Sequence, residues 1–256
     1  MADESPHTRA NRASWNATSR KYQASHRTEL EGDVLWGPSV PPERELRVLG
    51  PSLFGKDVLE IACGGGQSAV YLAGQGARVT GVDFSSEQLD HARAFARSKN
   101  VNVRFIESNV EDLSMLDDES FDVAFSAYAL GFVEDVRRSF REVWRVLRHG
   151  GLFAFSWGSP IFMITEERGL AISRSYFDRS PRIDTDEDGT EVDFLRTYGD
   201  WHRDLTDAGF VVTDLLEPEP LPKESTYSDD FPLAKLRMIP GTTIWRARKP
   251  RRLELE

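Results

Sequence analysis

Asp57-Val58-Leu59-Glu60-Ile61-Ala62-Cys63-Gly64-Gly65-Gly66 is a short, mostly apolar run that stops on three glycines. Such a run predicts a buried strand that meets a tight turn. Glycines let a ligand approach the backbone closely, and a helix N-terminus offers free N–H groups. Strand, glycine turn and helix together therefore predict a cofactor site. A second strand follows at Arg78–Phe84, and Asp83 near its end lies 17 positions after Gly66. A carboxylate there can accept both hydroxyls of a ribose. Gly64-x-Gly66-x-x-Ala69 also satisfies the relaxed dinucleotide pattern. A nicotinamide cofactor, and with it an NAD(P)-dependent oxidoreductase, stays open on these residues alone.

Outward from this motif, the chain alternates between strand and helix patterns. Ser85 and Gln88 have capping-box spacing, and Leu89, Ala92, Phe95 and Ala96 recur at helical intervals. Val103–Glu107 and Phe121–Ala127 predict a third and a fourth strand. Val136, Phe140, Val143 and Leu147 line one face of a helix that Gly150-Gly151 should end, and Gly151–Trp157 predicts a fifth strand. Strands separated by helices imply right-handed crossovers and a parallel sheet. A helix at Asp200–Asp207 and strands at Val211–Leu216 and Thr243–Arg248 complete the pattern. The gap between the last two holds no clear crossover helix, so they should pair antiparallel. The expected fold is a doubly wound, Rossmann-like α/β domain. Its mostly parallel seven-stranded sheet should carry an antiparallel C-terminal strand and a helical cap. Four segments follow: an N-terminal cap (1–52), a cofactor-binding core (53–157), an insert or lid (158–196) and the completion of the sheet (197–250).

Bulk properties narrow the function. The 256 residues carry a formal net charge of −10, and no Lys/Arg-rich block occurs before the extreme C-terminus. Grip on nucleic-acid phosphates needs a basic face, so nucleic acid is not the expected partner. The single cysteine, Cys63, excludes an internal disulfide, and no zinc-type spacing is present. Asp184, Asp186 and Asp188-Gly189 approach a calcium loop but lack its closing glutamate, so no metal is expected. The first 25 residues lack the apolar centre of a signal peptide, and no apolar run reaches transmembrane length. A cytoplasmic protein that does not engage membranes is the expectation. Leu255-Glu256 is read as a vector-derived remnant. Oligomeric state stays open, with a homodimer as one expectation.

Four blocks together resemble one family. They are VLEIACGGGQSAVYLAGQGARVTGVDFSSEQLDHAR, ESNVEDL, SFDVAFSAYAL and REVWRVLRHGGLFAFSW, in that order across residues 58–157. They resemble the class I S-adenosylmethionine-dependent methyltransferases, in the small-molecule branch related to ubiquinone and menaquinone biosynthesis. The resemblance implies an enzyme that moves a methyl group from S-adenosylmethionine to a small-molecule acceptor, at oxygen or nitrogen. The other reading is a protein that uses this cofactor without methyl transfer. It further implies that Glu60 and Gly64, Gly65 and Gly66 line the amino-acid and ribose part of the cofactor. Asp83 should hold the ribose, and Phe84 should pack on the adenine. Asn109 stands where the family usually has Asp, and its side-chain oxygen can accept from the adenine amino group. Val110 should offer backbone contacts to the ring. Ser126 and Ala127 should lie near the methionine tail. Ala62 replaces the usual glycine and leaves slightly less room.

Direct displacement requires the acceptor atom in line with the methyl group, in a dry site. A hydroxyl acceptor usually also needs a base. His26 and His202 are the candidate bases. Substrate candidates lie beyond the strand ends, where doubly wound folds bind ligands: Tyr128 and Phe132 after the fourth strand, Trp157 and Phe162 after the fifth. Trp15, Tyr22 and Trp36 of the N-terminal segment add aromatic surface. The cap and the insert, the latter partly helical around Glu166–Tyr176, are expected to cover the acceptor pocket. Cys63 is read as a small buried packing residue.

Overall fold

The protein, a computed structural model, is described over residues 4–187, 189–223, 225–227 and 229–252. Asp188 and Leu255-Glu256 lie outside the described residues. The chain opens with a 25-residue helix, α1 (Pro6–Leu30). Ser5 caps it by accepting the Thr8 N–H at 3.1 Å, and Pro6 occupies the first turn, where a missing N–H costs nothing. A short helix follows, α2 (Glu43–Leu46). The core then runs β1 (Asp57–Ile61), α3 (Gln67–Gly74), β2 (Arg78–Asp83), α4 (Ser86–Ser98), β3 (Val103–Glu107) and β4 (Phe121–Ser126). A 3-10 turn at Leu130–Phe132 leads into α5 (Val136–Val146), then β5 (Leu147–Gly158) and α6 (Pro160–Met163). The remainder is β6 (Arg182–Thr185), β7 (Thr190–Asp193), α7 (Tyr198–Asp207), β8 (Val211–Leu216), α8 (Leu233–Leu236) and β9 (Thr242–Arg248).

Seven strands form one sheet in the order β3-β2-β1-β4-β5-β9-β8. Strands β1 to β5 pair in parallel, and β9 runs antiparallel between β5 and β8. This is the doubly wound sheet that the sequence implies, with its closing antiparallel pair. Apolar side chains cover both faces. On one, α5 and α7 bury Phe140, Val143, Trp201 and Leu205 against Phe153 and Phe155. On the other, α3 and the segment before β1 bury Leu72, Trp36 and Leu49 against Phe125 and Ile244.

Some expectations change. Helix α5 ends at Val146, and β5 begins at Leu147, four residues before the expected start. The register against β4 jumps between Phe121↔Leu147 and Val123↔Leu152. Gly150, at φ +82°, supplies the left-handed backbone that this bulge requires. Arg148 in the bulge ties Asp57 and Asp122 together, both at 2.9 Å. No helix forms at Glu166–Tyr176, where an isolated Thr165–Ile172 bridge and turns stand instead. The segment that approaches a calcium loop in sequence belongs to a hairpin, β6–β7.

That hairpin docks on α1. Asn11 donates to the Val192 carbonyl at 2.8 Å and accepts the Val192 N–H at 2.7 Å, so a buried side chain completes the free edge of β7. Helix α1 and the hairpin thereby form one cover above the carboxyl ends of β1, β2 and β4.

Candidate active site

Strand order reverses between β1 and β4, and a crevice opens there at the strands' carboxyl ends. The cavity in this crevice has two halves. One is built on the glycine turn, the end of β2 and the loop after β3. Glu60, Ala62, Gly64, Gly65, Asp83 and Phe84 line it, with Asn109 and Val110. The other half is aromatic, lined by Trp15 and Tyr22 of α1, Tyr128 and Phe132 after β4, and Tyr227 and Phe231 of the loop before α8.

Each glycine of the turn serves a different purpose. Gly64 has φ +50°, and a Cβ added there would meet nothing within 4 Å, so its surface is open to a ligand. A Cβ on Gly66 would lie 2.8 Å from the Ala92 Cβ and 2.9 Å from the Phe105 ring. Gly66 does not line the cavity; its smallness lets α3, α4 and β3 close together. A Cβ on Gly65 would run into the side-chain amide of Gln23, which descends from α1. Gln23 donates to Gln88 at 2.8 Å and accepts from Gln67. Asn16 of α1 accepts from the Ser85 hydroxyl at 2.7 Å. The first helix thus rests directly on the glycine turn and on the start of α4. This also undoes half of the expected capping box. Ser85 Oγ does accept the Gln88 N–H, but the Ser85 N–H turns to Asp83 and the Gln88 side chain to Gln23.

Two buried carboxyls dominate the electrostatics. Asp83 accepts the Gly64 N–H at 2.8 Å and the Ser85 N–H at 2.9 Å, and so ties the glycine turn to the end of β2. Burial outweighs these bonds and pushes its pKa up to about 6. Glu60, 3% exposed, has one carboxyl oxygen, Oε2, without a partner among the described residues. Burial, with Asp83 nearby, pushes it up to about 8. An orphaned acceptor of this kind costs stability unless a ligand supplies the missing donor. Asn109 Oδ1 already accepts the Glu111 N–H at 3.0 Å, which leaves its second lone pair and its amide hydrogens for other partners.

Several predicted residues fall elsewhere. Trp36 is fully buried on the opposite face of the sheet, 6.1 Å from Phe125, with its ring N–H on Glu43 at 3.0 Å. His202 lies on the exposed side of α7, because the helical register turns Trp201 and Leu205 to the core instead. It is withdrawn as a base. His26 lies just outside the cavity lining, stacked on Tyr227 at 4.0 Å, with Nδ1 2.8 Å from the Thr226 hydroxyl. Burial holds its pKa below the ordinary histidine value. Trp157 and Phe162 stand behind the lining: Trp157 supports Tyr128 and Phe132, each at 5.0 Å, and Phe162 stacks on Phe231 at 5.0 Å. Ser126 is fully buried and outside the lining, whereas its neighbour Ala127 lines the cavity. Cys63 borders the cavity as well as packing below it, where burial pushes its thiol up. Gln23, Glu29, Gln67, Ser68, Gln88, Glu111, Tyr227 and Phe231 are among the lining residues that were not foreseen. Gln67 and Ser68 directly follow the glycines, a signal that was available.

Known proteins match this arrangement. Residues 59–155 fit the family described as "Methyltransferase domain". The "Uncharacterized methyltransferase YbaJ" of Bacillus subtilis (strain 168) is 31% identical over 65% of this chain and 70% of its own length. A "Ubiquinone biosynthesis O-methyltransferase" of Vibrio vulnificus (strain YJ016) is 34% identical over 52% of this chain. That match spans only 57% of the relative's length. Among solved structures, an S-adenosylmethionine-dependent methyltransferase from Mesorhizobium loti superposes with a TM-score of 0.66 at 30% identity. It covers 80% of this chain and 96% of its own.

Proposed function

The chain belongs to the S-adenosylmethionine-dependent methyltransferases, and from that premise we propose that it methylates an oxygen or nitrogen atom of a small-molecule acceptor by direct in-line displacement. Membership retires the nicotinamide reading. The observation that carries the proposal is the joining of a polar cofactor half and an aromatic half within one cavity. The orphaned Glu60 Oε2 and the open surface over Gly64 fit the cofactor's amino-acid end.

In this reading Asp83 holds the ribose with its remaining lone pairs, Phe84 meets the adenine, and Asn109 and Val110 face the ring edge. Glu60, Ala62, Gly64, Gly65 and Ala127 border the rest of the cofactor. When bound, S-adenosylmethionine supplies an electrophilic methyl group on a sulfonium sulfur. The protein's task is to orient the acceptor and to exclude water. Tyr22, Tyr128 and Phe132 form the acceptor walls, with Trp157 behind Tyr128 and Phe132 and with Phe162 behind Phe231. The same proposal places the enzyme in the cytoplasm, acting on a metabolite and not on nucleic acid or a membrane. Among the described residues, no helix is long and apolar enough to cross a membrane.

The test is to incubate the purified protein with methyl-labelled S-adenosylmethionine and a metabolite panel. The proposal expects equal amounts of S-adenosylhomocysteine and of a labelled small molecule. Conversion of a panel member without label transfer would support use of the cofactor without methylation.

A further inference from the structure

Among the described residues, the charged groups that line the cavity are all of one sign. Among the described residues the whole lining contains four carboxyls, Glu29, Glu60, Asp83 and Glu111, and no Lys, Arg or His. Glu60 and Asp83 belong to the cofactor half. Glu29 lies in the aromatic half, where α1 meets the 225–231 loop, and it accepts from the Ser225 hydroxyl and from the Thr226 hydroxyl and N–H. Asp230 adjoins Phe231 in the chain and Glu191 accepts from the Ser14 hydroxyl at 3.3 Å, and burial raises both carboxyls. Asp230 acts electrostatically on Tyr128 and His26, and Glu191 acts on Tyr22. Cations stand behind the lining: Lys235 Nζ lies 3.7 Å from the Phe162 ring that backs Phe231, held by the Glu166 carbonyl at 2.6 Å, and Arg182 acts electrostatically on Tyr128. Arg182 is bound to Asp193 at 2.7 Å and Arg168 to Asp229 at 3.4 Å, while burial disfavours the cationic form of His26.

The walls of this half are Trp15, Tyr22, Tyr128, Phe132, Tyr227 and Phe231. The Tyr22 and Tyr227 hydroxyls are 2.6 Å apart. Burial raises both phenols, so neither supplies a base near neutral pH. Both Glu29 oxygens are already engaged by three donors. Among the described residues, the lining therefore lacks a group set up to remove a hydroxyl proton, His26 standing outside it behind Tyr227. The described lining also lacks a cation to hold a carboxylate or phenolate acceptor. Electron-rich ring faces surrounded by carboxylates attract organic cations instead.

We infer that the acceptor is an amine, recognised as a cation by the aromatic walls together with Glu29 and Asp230, and that the reaction is N-methylation. This rests on the proposed methyl transfer and narrows its acceptor. A protonated amine first releases one proton to solvent. The nitrogen lone pair then forms the N–C bond as the C–S bond breaks, and that electron pair neutralises the sulfonium. A tertiary ammonium likewise gives up its N–H proton before its lone pair can attack. The product is an ammonium cation plus S-adenosylhomocysteine, with charge and atoms balanced.

The test uses the full chain saturated with S-adenosylhomocysteine and three matched probes: 2-phenylethyltrimethylammonium, 2-phenylethanol and phenylacetate. Calorimetry should find the ammonium bound at least tenfold more tightly than the alcohol, with phenylacetate weakest. Glu29→Gln and Asp230→Asn should each weaken ammonium binding several-fold and leave the alcohol unchanged. Absence of ammonium binding, or phenylacetate binding as tightly, would overturn the inference. Failure of S-adenosylhomocysteine itself to bind would instead overturn the methyltransferase reading beneath it.

Discussion

At the scale of single residues, Glu60 is where chemistry and burial meet most sharply. Its folded pKa, about 8, lies above the ordinary glutamate value, so in the free protein it is mostly protonated at pH 7. A raised carboxyl stabilises the fold below its unfolded pKa, and that contribution declines as pH rises toward 8. A ligand ammonium favours the ionised form, so binding should expel the proton. Calorimetry of S-adenosylhomocysteine at pH 7, repeated in buffers of different ionisation enthalpy, should find release of about one proton. Glu60→Gln should remove that release and weaken binding; release unchanged in the variant would assign it to another group. The glycines give a second prediction. Gly64→Ala should reduce cofactor affinity with little further loss of fold stability than its positive φ imposes. Gly66→Ala should destabilise by an additional ~1–3 kcal/mol through overpacking against Ala92 and Phe105, read as a lowered urea midpoint. Equal stability losses would show that the two turn positions are not distinct. The cofactor motif was legible in the sequence because its demands are local. A glycine turn and an acid at the end of the next strand follow from spacing alone. The separate duties of Gly65 and Gly66 were not legible, since each is set by a partner from a distant element.

At the scale of elements, α1 shows why a pattern reading fell short. Its inward face is Thr8, Asn11, Ser14, Ser19 and Gln23, all buried and all polar. Hydrophobic periodicity cannot delimit a helix that buries hydrogen-bonding side chains, so the segment read as a polar cap with no helix bounds of its own. Trp36 misled for the opposite reason. An isolated Trp in a polar stretch resembles a pocket wall, yet a buried Glu43 gives its ring N–H a partner on the far face of the sheet. Tyr227 and Phe231 escaped because the chain between β8 and α8 has no periodicity to orient them. The contacts of α1 also determine what truncation should do. Asn11→Ala would strand a buried N–H and carbonyl of β7, at ~1–3 kcal/mol each. Urea unfolding should show that loss, and limited proteolysis should begin near residues 186–190; protection as in the parent would mean that the hairpin holds by other contacts. Removal of residues 1–30 should weaken cofactor binding as well as turnover, because Gln23 and Asn16 brace the glycine turn and the start of α4. A truncated protein with full cofactor affinity would reduce α1 to an acceptor-side cover.

At the scale of the whole molecule, the parallel strands, the reversal between β1 and β4 and the antiparallel return of β9 determine where a ligand can sit. This architecture was legible because alternating strand and helix patterns admit few right-handed arrangements. The division of the cavity was less legible, since its aromatic half is assembled from α1, the loop after β4 and the loop before α8, far apart in sequence. That division is the central claim, and it has a direct test in the crystal structure of the protein soaked with S-adenosylhomocysteine. The account predicts density with the adenine beside Phe84 and Asn109, the ribose on Asp83 and the amino group at Glu60, with the chamber of Tyr22, Tyr128 and Phe132 left open for an acceptor. Density for the nucleoside inside that aromatic chamber, with the glycine turn bare, would contradict it.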